Sequence, residues 1–118
     1  MSADPLIELR DRLRIFARER EWDRYHTPKN LAMALIVEAA ELAEHFQWLT
    51  PEESQSLRDG DKREAIHDEL ADVLIYLVEL ADTLGVDLAA AARAKIEKNA
   101  LKYPVDKARG NAKKYDEL

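Results

Sequence analysis

Two segments, LAMALIVEAAELA at residues 31–43 and ELADVLIYLVELA at residues 69–81, decide the fold of this chain. Each is apolar nearly all round and contains no Gly or Pro, which is typical of a helix buried on several sides. We therefore predict two core helices of a helical bundle that associates with a second copy through its apolar faces. The charged residues inside the two segments are Glu38, Glu41, Glu69, Asp72 and Glu79.

Start and stop signals place the other helices. A capping residue precedes a proline or an apolar run at several points, and Glu53 and Glu64 would complete capping boxes. We predict helices over about 5–21, 28–48, 51–58, 62–84 and 88–103. The expected caps are Asp4, Thr27, Thr50, Asp61 and Asp87, and the expected stops are Gly85 and Pro104.

This pattern predicts an all-α fold, a helical bundle with four long helices in the protomer, which forms a homodimer through its apolar faces. The length of 118 residues predicts a single domain over residues 1–118. Residues 105–118 are polar and basic, and we expect them to form an extended C-terminal arm. No strand pattern and no internal repeat is found in the sequence.

Composition excludes several classes of protein. A net charge of −6 disfavours binding to nucleic acid backbones or anionic membranes. The absence of Cys excludes disulfides and thiolate zinc sites. No apolar run approaches the roughly 20 residues that span a bilayer, and the start MSADPLIELRDR lacks the core of a signal peptide. We expect a cytoplasmic protein with neither nucleic acid nor membrane as a partner.

Four carboxylates form the strongest candidate site. Glu38 with Glu41, and Glu69 with Asp72, are spaced i, i+3, so each pair shares one face of its helix. None has Lys or Arg three or four residues away, so either the acids reach solvent at an exposed edge or cations neutralise them. Oxygen ligands favour Mg²⁺, with Mn²⁺ or Ca²⁺ as alternatives, over zinc. We predict a Mg²⁺ site. Glu44 and Glu79 are either auxiliary ligands or solvent-exposed, and we expect exposure for both, as well as for His45 and His67.

Aromatic side chains near the ends of the helices are candidates for substrate binding. Trp22 and Trp48 either close the ends of the core or stack on a nucleobase. Tyr76 lies four residues after Asp72, on the same face, so its hydroxyl meets either a substrate or a backbone group. His26, beside Trp22, is a further candidate for substrate contact.

Basic residues collect towards the C-terminus. Lys95, Asn99 and Lys102 recur at i, i+4, i+7 just before Tyr103, and they form one polar face. Cations are stabilised at a helix C-terminus without any further function, and the alternative is a phosphate clamp. Arg109 in the tail, with Lys107, Lys113 and Lys114, extends the same choice between a solvated tail and a phosphate contact.

Taken together, these residues resemble the MazG-like, all-α NTP pyrophosphohydrolase superfamily, and within it the dCTP pyrophosphatases. The resemblance rests on WDRYHTPKNLAMALIVEAAELAEHFQW, DELADVLIYLVELAD and KIEKNALKYPVDKARGNAKKY, and it extends from about residue 9 to residue 118. The signature of that superfamily is E-x-x-E followed by E-x-x-D.

The resemblance implies Mg²⁺-dependent cleavage of a nucleoside triphosphate to the monophosphate and pyrophosphate, by a tight dimer or a tetramer. By position, the four carboxylates would bind Mg²⁺, Trp22 and Trp48 would hold the base, and Tyr76 would lie at the sugar. The residues that would meet the phosphates are Lys95, Asn99, Lys102, Tyr103, Arg109 and Lys114. Leu13 stands where eukaryotic relatives carry a base-pocket histidine, so the base preference stays open.

Our hypothesis for the chemistry is hydrolysis of dCTP or a modified dCTP, with Glu41, or else Glu38, orienting or deprotonating the attacking water. One alternative is the same reaction on dUTP, a damaged nucleotide or a phosphoribosyl-ATP. Another is a non-catalytic helical dimer that only binds a divalent cation.

Overall fold

The computed structural model describes residues 4–118, and within that range the chain is helical, with no strand. The all-α prediction is confirmed, because the described chain contains four long helices, at Pro5–Glu19, Pro28–Glu44, Arg63–Thr83 and Leu88–Lys102. No helix in residues 4–118 is both long and apolar enough to cross a bilayer. Residues 1–3, with which the segment MSADPLIELRDR begins, lie outside the described part of the chain. The helices are α1 (Pro5–Glu19), α2 (Pro28–Glu44), α3 (Pro51–Ser56), α4 (Arg63–Thr83), α5 (Leu88–Lys102) and α6 (Val105–Ala108), with 3-10 turns at Asp23–Tyr25 and Tyr115–Glu117.

The chain divides into two compact units, Met1–Val86 and Asp87–Leu118, called here the N-terminal and C-terminal units. Helices α1 to α4 belong to the N-terminal unit, and α5 and α6 belong to the C-terminal unit. The single domain predicted over residues 1–118 stays a prediction.

Helix starts follow the caps that the sequence predicts, with one exception. Asp4 accepts from the backbone N–H of Leu6 at 2.9 Å, and Thr50 forms the predicted capping box with Glu53. Thr27 and Asp87 cap α2 and α5 in the same way. Asp61 does not cap α4, since the N-cap is Lys62 and makes no side-chain bond. A backbone bond from Arg63 N–H to Gly60 C=O leads into that helix instead.

Helices α1 and α2 end earlier than predicted, and so does α3, which ends at Ser56. Helix α1 ends at Glu19 rather than near Glu21, because the backbone N–H of Trp22 turns back to Ala17 C=O at 2.9 Å. Together with a bond from Glu21 N–H to Arg18 C=O, this is the Schellman motif. Helix α2 ends at Glu44 rather than at Trp48, and tight backbone turns carry the chain on to Leu49.

The predicted stop at Gly85 is confirmed. Gly85 has φ 67°, and Val86 N–H donates to Ala81 C=O at 2.9 Å, which is a second Schellman motif. The equivalent position of α1 is Glu21, which takes the same left-handed conformation at φ 55° although it has a Cβ atom. The end of α1 is therefore strained where the end of α4 is not.

Helices α2 and α4 lie antiparallel. His26, just before α2, is close to Glu79 near the end of α4, and His45, just after α2, is close to Glu69 near its start. Helix α1 packs on α4, where Arg14 forms a two-bond ion pair with Asp82. The hydrophobic side chains buried in the described chain are Ala17, Leu31, Ile66, Val78 and Ala81.

Large apolar faces of the N-terminal unit are exposed beside this small core. Met33, Ile36 and Val37 on α2 are each more than half exposed, and so is Leu70 on α4. Exposed apolar surface of this kind is typical of a contact with a protein, a membrane or a ligand, and the association with a second copy stays a prediction.

The segment predicted as an extended arm is not extended throughout. Pro104 precedes a one-turn helix, α6, and the chain then returns towards the end of α5. There the rings of Tyr103 and Tyr115 meet edge to face at 6.2 Å, and Lys102 Nζ lies 4.9 Å from the Tyr115 ring. These aromatic and cation–π contacts supply the reason for the fold-back.

We expect Glu21→Gly to stabilise the protein, because glycine adopts the left-handed conformation without the clash of a Cβ atom. The free energy of unfolding, measured with urea, should rise by about 0.5–1 kcal/mol. Gly85→Ala is the matched opposite change and should lower it. A loss of stability in Glu21→Gly would contradict the strained helix end.

Candidate active site

Three carboxylates meet where α2 and α4 face each other. Glu38 and Glu41 lie one turn apart on α2, and Glu69 lies opposite on α4. One carboxylate oxygen from each of the three lies within 4.8 Å of the others. The antiparallel packing of α2 on α4 thus brings the Glu38 and Glu41 pair together with Glu69 in a single cluster, as oxygen ligation of one cation requires.

Two oxygens of this cluster are buried without a partner. Neither Glu38 Oε2 nor Glu69 Oε2 has a hydrogen-bond partner among the described residues. Burial raises the pKa of Glu38, and the negative charges of Glu41 and Asp72 raise it further. Burial and the charge of Glu41 raise the pKa of Glu69 as well. Buried, unpaired, like-charged carboxylates are destabilising unless a cation neutralises them.

Asp72 lies beside the three-carboxylate cluster. Its charge raises the pKa of both Glu38 and Glu69, so it is close to each of them. It is not among the three residues whose oxygens lie within 4.8 Å of one another. The donor set is oxygen throughout, which fits a hard divalent cation of the Mg²⁺, Mn²⁺ or Ca²⁺ class.

His45 was predicted at the surface, and this prediction is wrong. Its side chain is 22% exposed, and its Nε2 atom lies 4.0 Å from Glu69 Oε1. His45 follows Glu38 by seven residues on the same face of the helix, and this spacing is the signal that could have found it. His67 is exposed, as predicted.

Glu79 was also predicted to be exposed, and the structure corrects this. Its side chain is 14% exposed, and its Oε2 atom lies 2.9 Å from Nδ1 of His26, the predicted substrate contact. Burial raises the pKa of Glu79, and the neighbouring His26 opposes that rise. Glu79 follows Asp72 by seven residues on α4, so again the heptad spacing was informative. Glu44 is exposed, as predicted.

Tyr76 lies between the cluster and Glu79. Burial raises the pKa of its hydroxyl, and the charges of Glu38, Glu79 and Asp72 raise it further. The phenol therefore stays protonated and remains a hydrogen-bond donor between the two acidic groups.

The two tryptophans lie at opposite ends of α2. Trp22 is 43% exposed and meets Phe16 and His26 edge to face, at 5.8 and 6.1 Å. Trp48 is 87% exposed, so it does not close the core. Seventeen residues of α2 separate the two ends, which is about 25 Å. The protomer does not bring the two indoles together around one base.

The predicted phosphate contacts belong to the C-terminal unit. Lys95, Asn99 and Lys102 lie along one face of α5, and Tyr103 caps that helix. Arg109 follows α6 and Lys114 precedes the last 3-10 turn. All six side chains are exposed.

Comparisons with known proteins show the family to which this chain belongs. Residues 33–118 match the MazG-like family. The chain belongs to the MazG-like family. The relatives include dCTP pyrophosphatase 1 of Bos taurus, 45% identical over 120 residues, and that of Homo sapiens, 44% identical over 119 residues. The aligned region covers 99% of this chain and 70% of each mammalian protein.

A solved structure gives the same result for the fold of this MazG-like chain. The crystal structure of a pyrophosphatase from Archaeoglobus fulgidus superimposes with a TM-score of 0.80 at 42% sequence identity. The superposition covers 88% of this chain and 96% of the archaeal one. The resemblance identified from the sequence is therefore confirmed.

We expect Mg²⁺ to stabilise the protein and Glu38→Gln to remove that effect. A free Mg²⁺ concentration ten times the dissociation constant should add about 1.4 kcal/mol to the wild type. The variant should be more stable than the wild type without metal, because it removes a buried charge. Thermal unfolding with and without Mg²⁺ measures both effects, and Glu52→Gln on the exposed surface of α3 is the control.

The raised pKa of Glu38 also predicts how the difference in metal-free stability between Glu38→Gln and the wild type depends on pH. The folded state holds this proton more tightly than the unfolded state, so metal-free stability falls as pH rises from the unfolded pKa through the folded one. The advantage of Glu38→Gln should therefore be small near pH 4 and largest above the folded pKa. An advantage independent of pH would contradict the buried charge.

Proposed function

We propose that this protein hydrolyses a nucleoside triphosphate, dCTP or a modified dCTP before others, to the monophosphate and pyrophosphate. The observation that carries the proposal is the cluster of Glu38, Glu41 and Glu69, with buried oxygens that lack a hydrogen-bond partner. Its membership of the MazG-like family and its similarity to dCTP pyrophosphatase 1 support the choice of reaction and substrate.

Glu38, Glu41 and Glu69 would hold the divalent cation, with Asp72 at the edge of the site. Mg²⁺ is our choice of metal, with Mn²⁺ as a substitute, because the donors are all carboxylate oxygens. When bound, it would neutralise the triphosphate and polarise the phosphorus that is attacked. A chain with net charge −6 needs such local neutralisation to bind a polyanion.

Glu41 is the residue we assign to the attacking water, with Glu38 as the second choice. Glu41 is the exposed member of the cluster, so water reaches it, whereas Glu38 is partly buried. A carboxylate that orients or deprotonates water must lie within hydrogen-bond reach of that water, so access decides the assignment. The attacking oxygen joins the α-phosphorus as the bond to the leaving pyrophosphate breaks.

The sugar and base would extend along α4 from this cluster. Tyr76 would donate to the sugar, and His26 and Trp22 lie beyond it near the end of α4. Trp48 would complete the base site from a second copy, since it lies about one helix length from Trp22 in the same protomer. A homodimer, or two dimers in a tetramer, would also cover the exposed apolar faces of α2 and α4.

The phosphate contacts that we propose follow from the resemblance to the family. Lys95, Asn99 and Lys102 form one polar face of α5, and ammonium and amide groups there would contact phosphate oxygens. Tyr103, Arg109 and Lys114 would add contacts from the turn and the tail. We place the reaction in the cytoplasm, and we assign neither a nucleic acid nor a membrane as a partner.

We expect Glu41→Gln to abolish pyrophosphate release from dCTP while the fold is kept. The amide cannot accept a proton from water and is a weaker ligand for a hard cation. The loss should be at least about 100-fold in kcat, measured as pyrophosphate release in the presence of Mg²⁺. Near-normal activity in this variant would remove Glu41 from the reaction.

Glu52→Gln is the control for that measurement. Glu52 is an exposed carboxylate of α3 and is not a member of the cluster, so this variant should keep the wild-type activity. A panel of dCTP, dUTP, dTTP and dATP with the wild type tests the substrate. Binding of nucleotide and Mg²⁺ without hydrolysis of any member would favour a non-catalytic metal-binding module.

A further inference from the structure

A cavity of about 210 Å³ lies in the N-terminal unit between α1 and α4, separate from the carboxylate cluster. Its apolar walls include Leu13, Leu31 and Val78. Its acidic groups are Asp23, Glu79 and Asp82. An apolar cavity with a few polar groups is the usual form of a site for part of a small molecule.

Asp82 is neutralised within the cavity. Arg14 donates from Nε to Asp82 Oδ2 at 2.8 Å and from Nη2 to Asp82 Oδ1 at 2.6 Å. This pairing holds the pKa of the Asp82 carboxyl below its usual range. The second arginine of the lining, Arg10, donates to Asp11 at 2.9 Å. The guanidinium groups are thus paired with aspartates, and neither is paired with Glu79.

Glu79 has His26 as its partner instead. The distance of 2.9 Å between His26 Nδ1 and Glu79 Oε2 requires a proton between the two atoms, and an ionised carboxylate only accepts. Within residues 4–86, no donor other than His26 is found for Glu79. The second carboxylate oxygen of Glu79 is therefore left as an acceptor.

The spacing along α4 links this pair to the carboxylate cluster. Asp72, Tyr76 and Glu79 are at i, i+4 and i+7, so they share one face of the helix. Seven residues of helix span about 10 Å, and Tyr76 lies between the ends. A nucleotide with its phosphates at the cluster and its sugar at Tyr76 would therefore bring the edge of its base to Glu79.

We propose, on the basis of the proposed function, that Glu79 determines the base by accepting a hydrogen bond from an exocyclic amino group, so that cytosine is preferred to uracil and thymine. Cytosine presents an N4 amino donor at the position where uracil and thymine present an O4 acceptor. A carboxylate accepts a hydrogen bond from the N4 amino group, whereas it repels the O4 atom, which is itself an acceptor. His26 acts as a positioning residue, because it fixes which oxygen of Glu79 is turned away from the cavity.

Glu79→Gln tests this assignment with nearly the same shape. His26 Nδ1–H would hold the amide oxygen, so the amide nitrogen would face the cavity as a donor. We expect kcat/KM for dCTP to fall about 10- to 100-fold and kcat/KM for dUTP to be kept or to rise. Glu64→Gln, an exposed carboxylate at the start of α4, should leave the ratio of the two unchanged.

Binding is measured alongside hydrolysis, with non-hydrolysable analogues of dCTP and dUTP in calorimetry. If the wild type binds the dCTP analogue preferentially but hydrolyses nothing, the proposed function fails while the assignment of Glu79 is still tested by its variant. Loss of the preference in Glu79→Gln, with Mg²⁺-induced stabilisation kept, would support the assignment. An unchanged preference, or an equal loss for both analogues in a folded variant, would overturn it.

Discussion

The main physical constraint on this structure is the electrostatic repulsion among three carboxylates that lie between two apolar helices, α2 and α4. Glu38 and Glu69 each bury an oxygen that has no partner in the described chain, and Glu41 adds a third charge within 4.8 Å. Such a cluster opposes folding when all its members are ionised. A divalent cation would convert the same three side chains into a favourable site. The helices tolerate the cluster because Leu31 on α2 and Ile66, Val78 and Ala81 on α4 pack in the buried core.

The side chains near the carboxylate cluster have defined positions relative to it. The antiparallel packing of α2 on α4 places His45 at one end of the site and His26 at the other. Tyr76 lies between the carboxylate cluster and Glu79. Burial and these negative charges raise the pKa of its hydroxyl, so the hydroxyl stays protonated and is a hydrogen-bond donor. The Schellman motif that ends α1 fixes Trp22 beside His26, at the cost of a left-handed Glu21. Asp72, Tyr76 and Glu79 thus lie along one face of α4.

Much of this fold was predictable from local signals. The caps at Asp4, Thr27, Thr50 and Asp87 are set by residues within one turn, and so is the stop at Gly85. The carboxylate pairs were predictable because helical spacing places i and i+3 on one face. Errors arose where backbone turns act without a side-chain signal. One example is the start of α4, where the N-cap is Lys62 and not the predicted Asp61.

The candidate site was predictable in part. Contacts across helices were not, since the pairings of His26 with Glu79 and of Arg14 with Asp82 join residues far apart in sequence. Glu79 and His45 were predicted to be exposed, and their partners, His26 and Glu69, lie on the facing segment, far away in the sequence. The separation of Trp22 from Trp48 needed the length of α2, which makes a second copy part of the proposed base site.

The central claim is that Glu38, Glu41 and Glu69 hold a divalent cation on which a triphosphate binds. A crystal structure with Mn²⁺ and a non-hydrolysable dCTP analogue, with anomalous scattering measured at the manganese edge, tests it directly. We predict an anomalous peak within coordinating distance, about 2.2 Å, of an oxygen from each of the three residues and of the analogue's phosphates. A peak elsewhere, or an analogue bound with no metal at these carboxylates, would contradict the account.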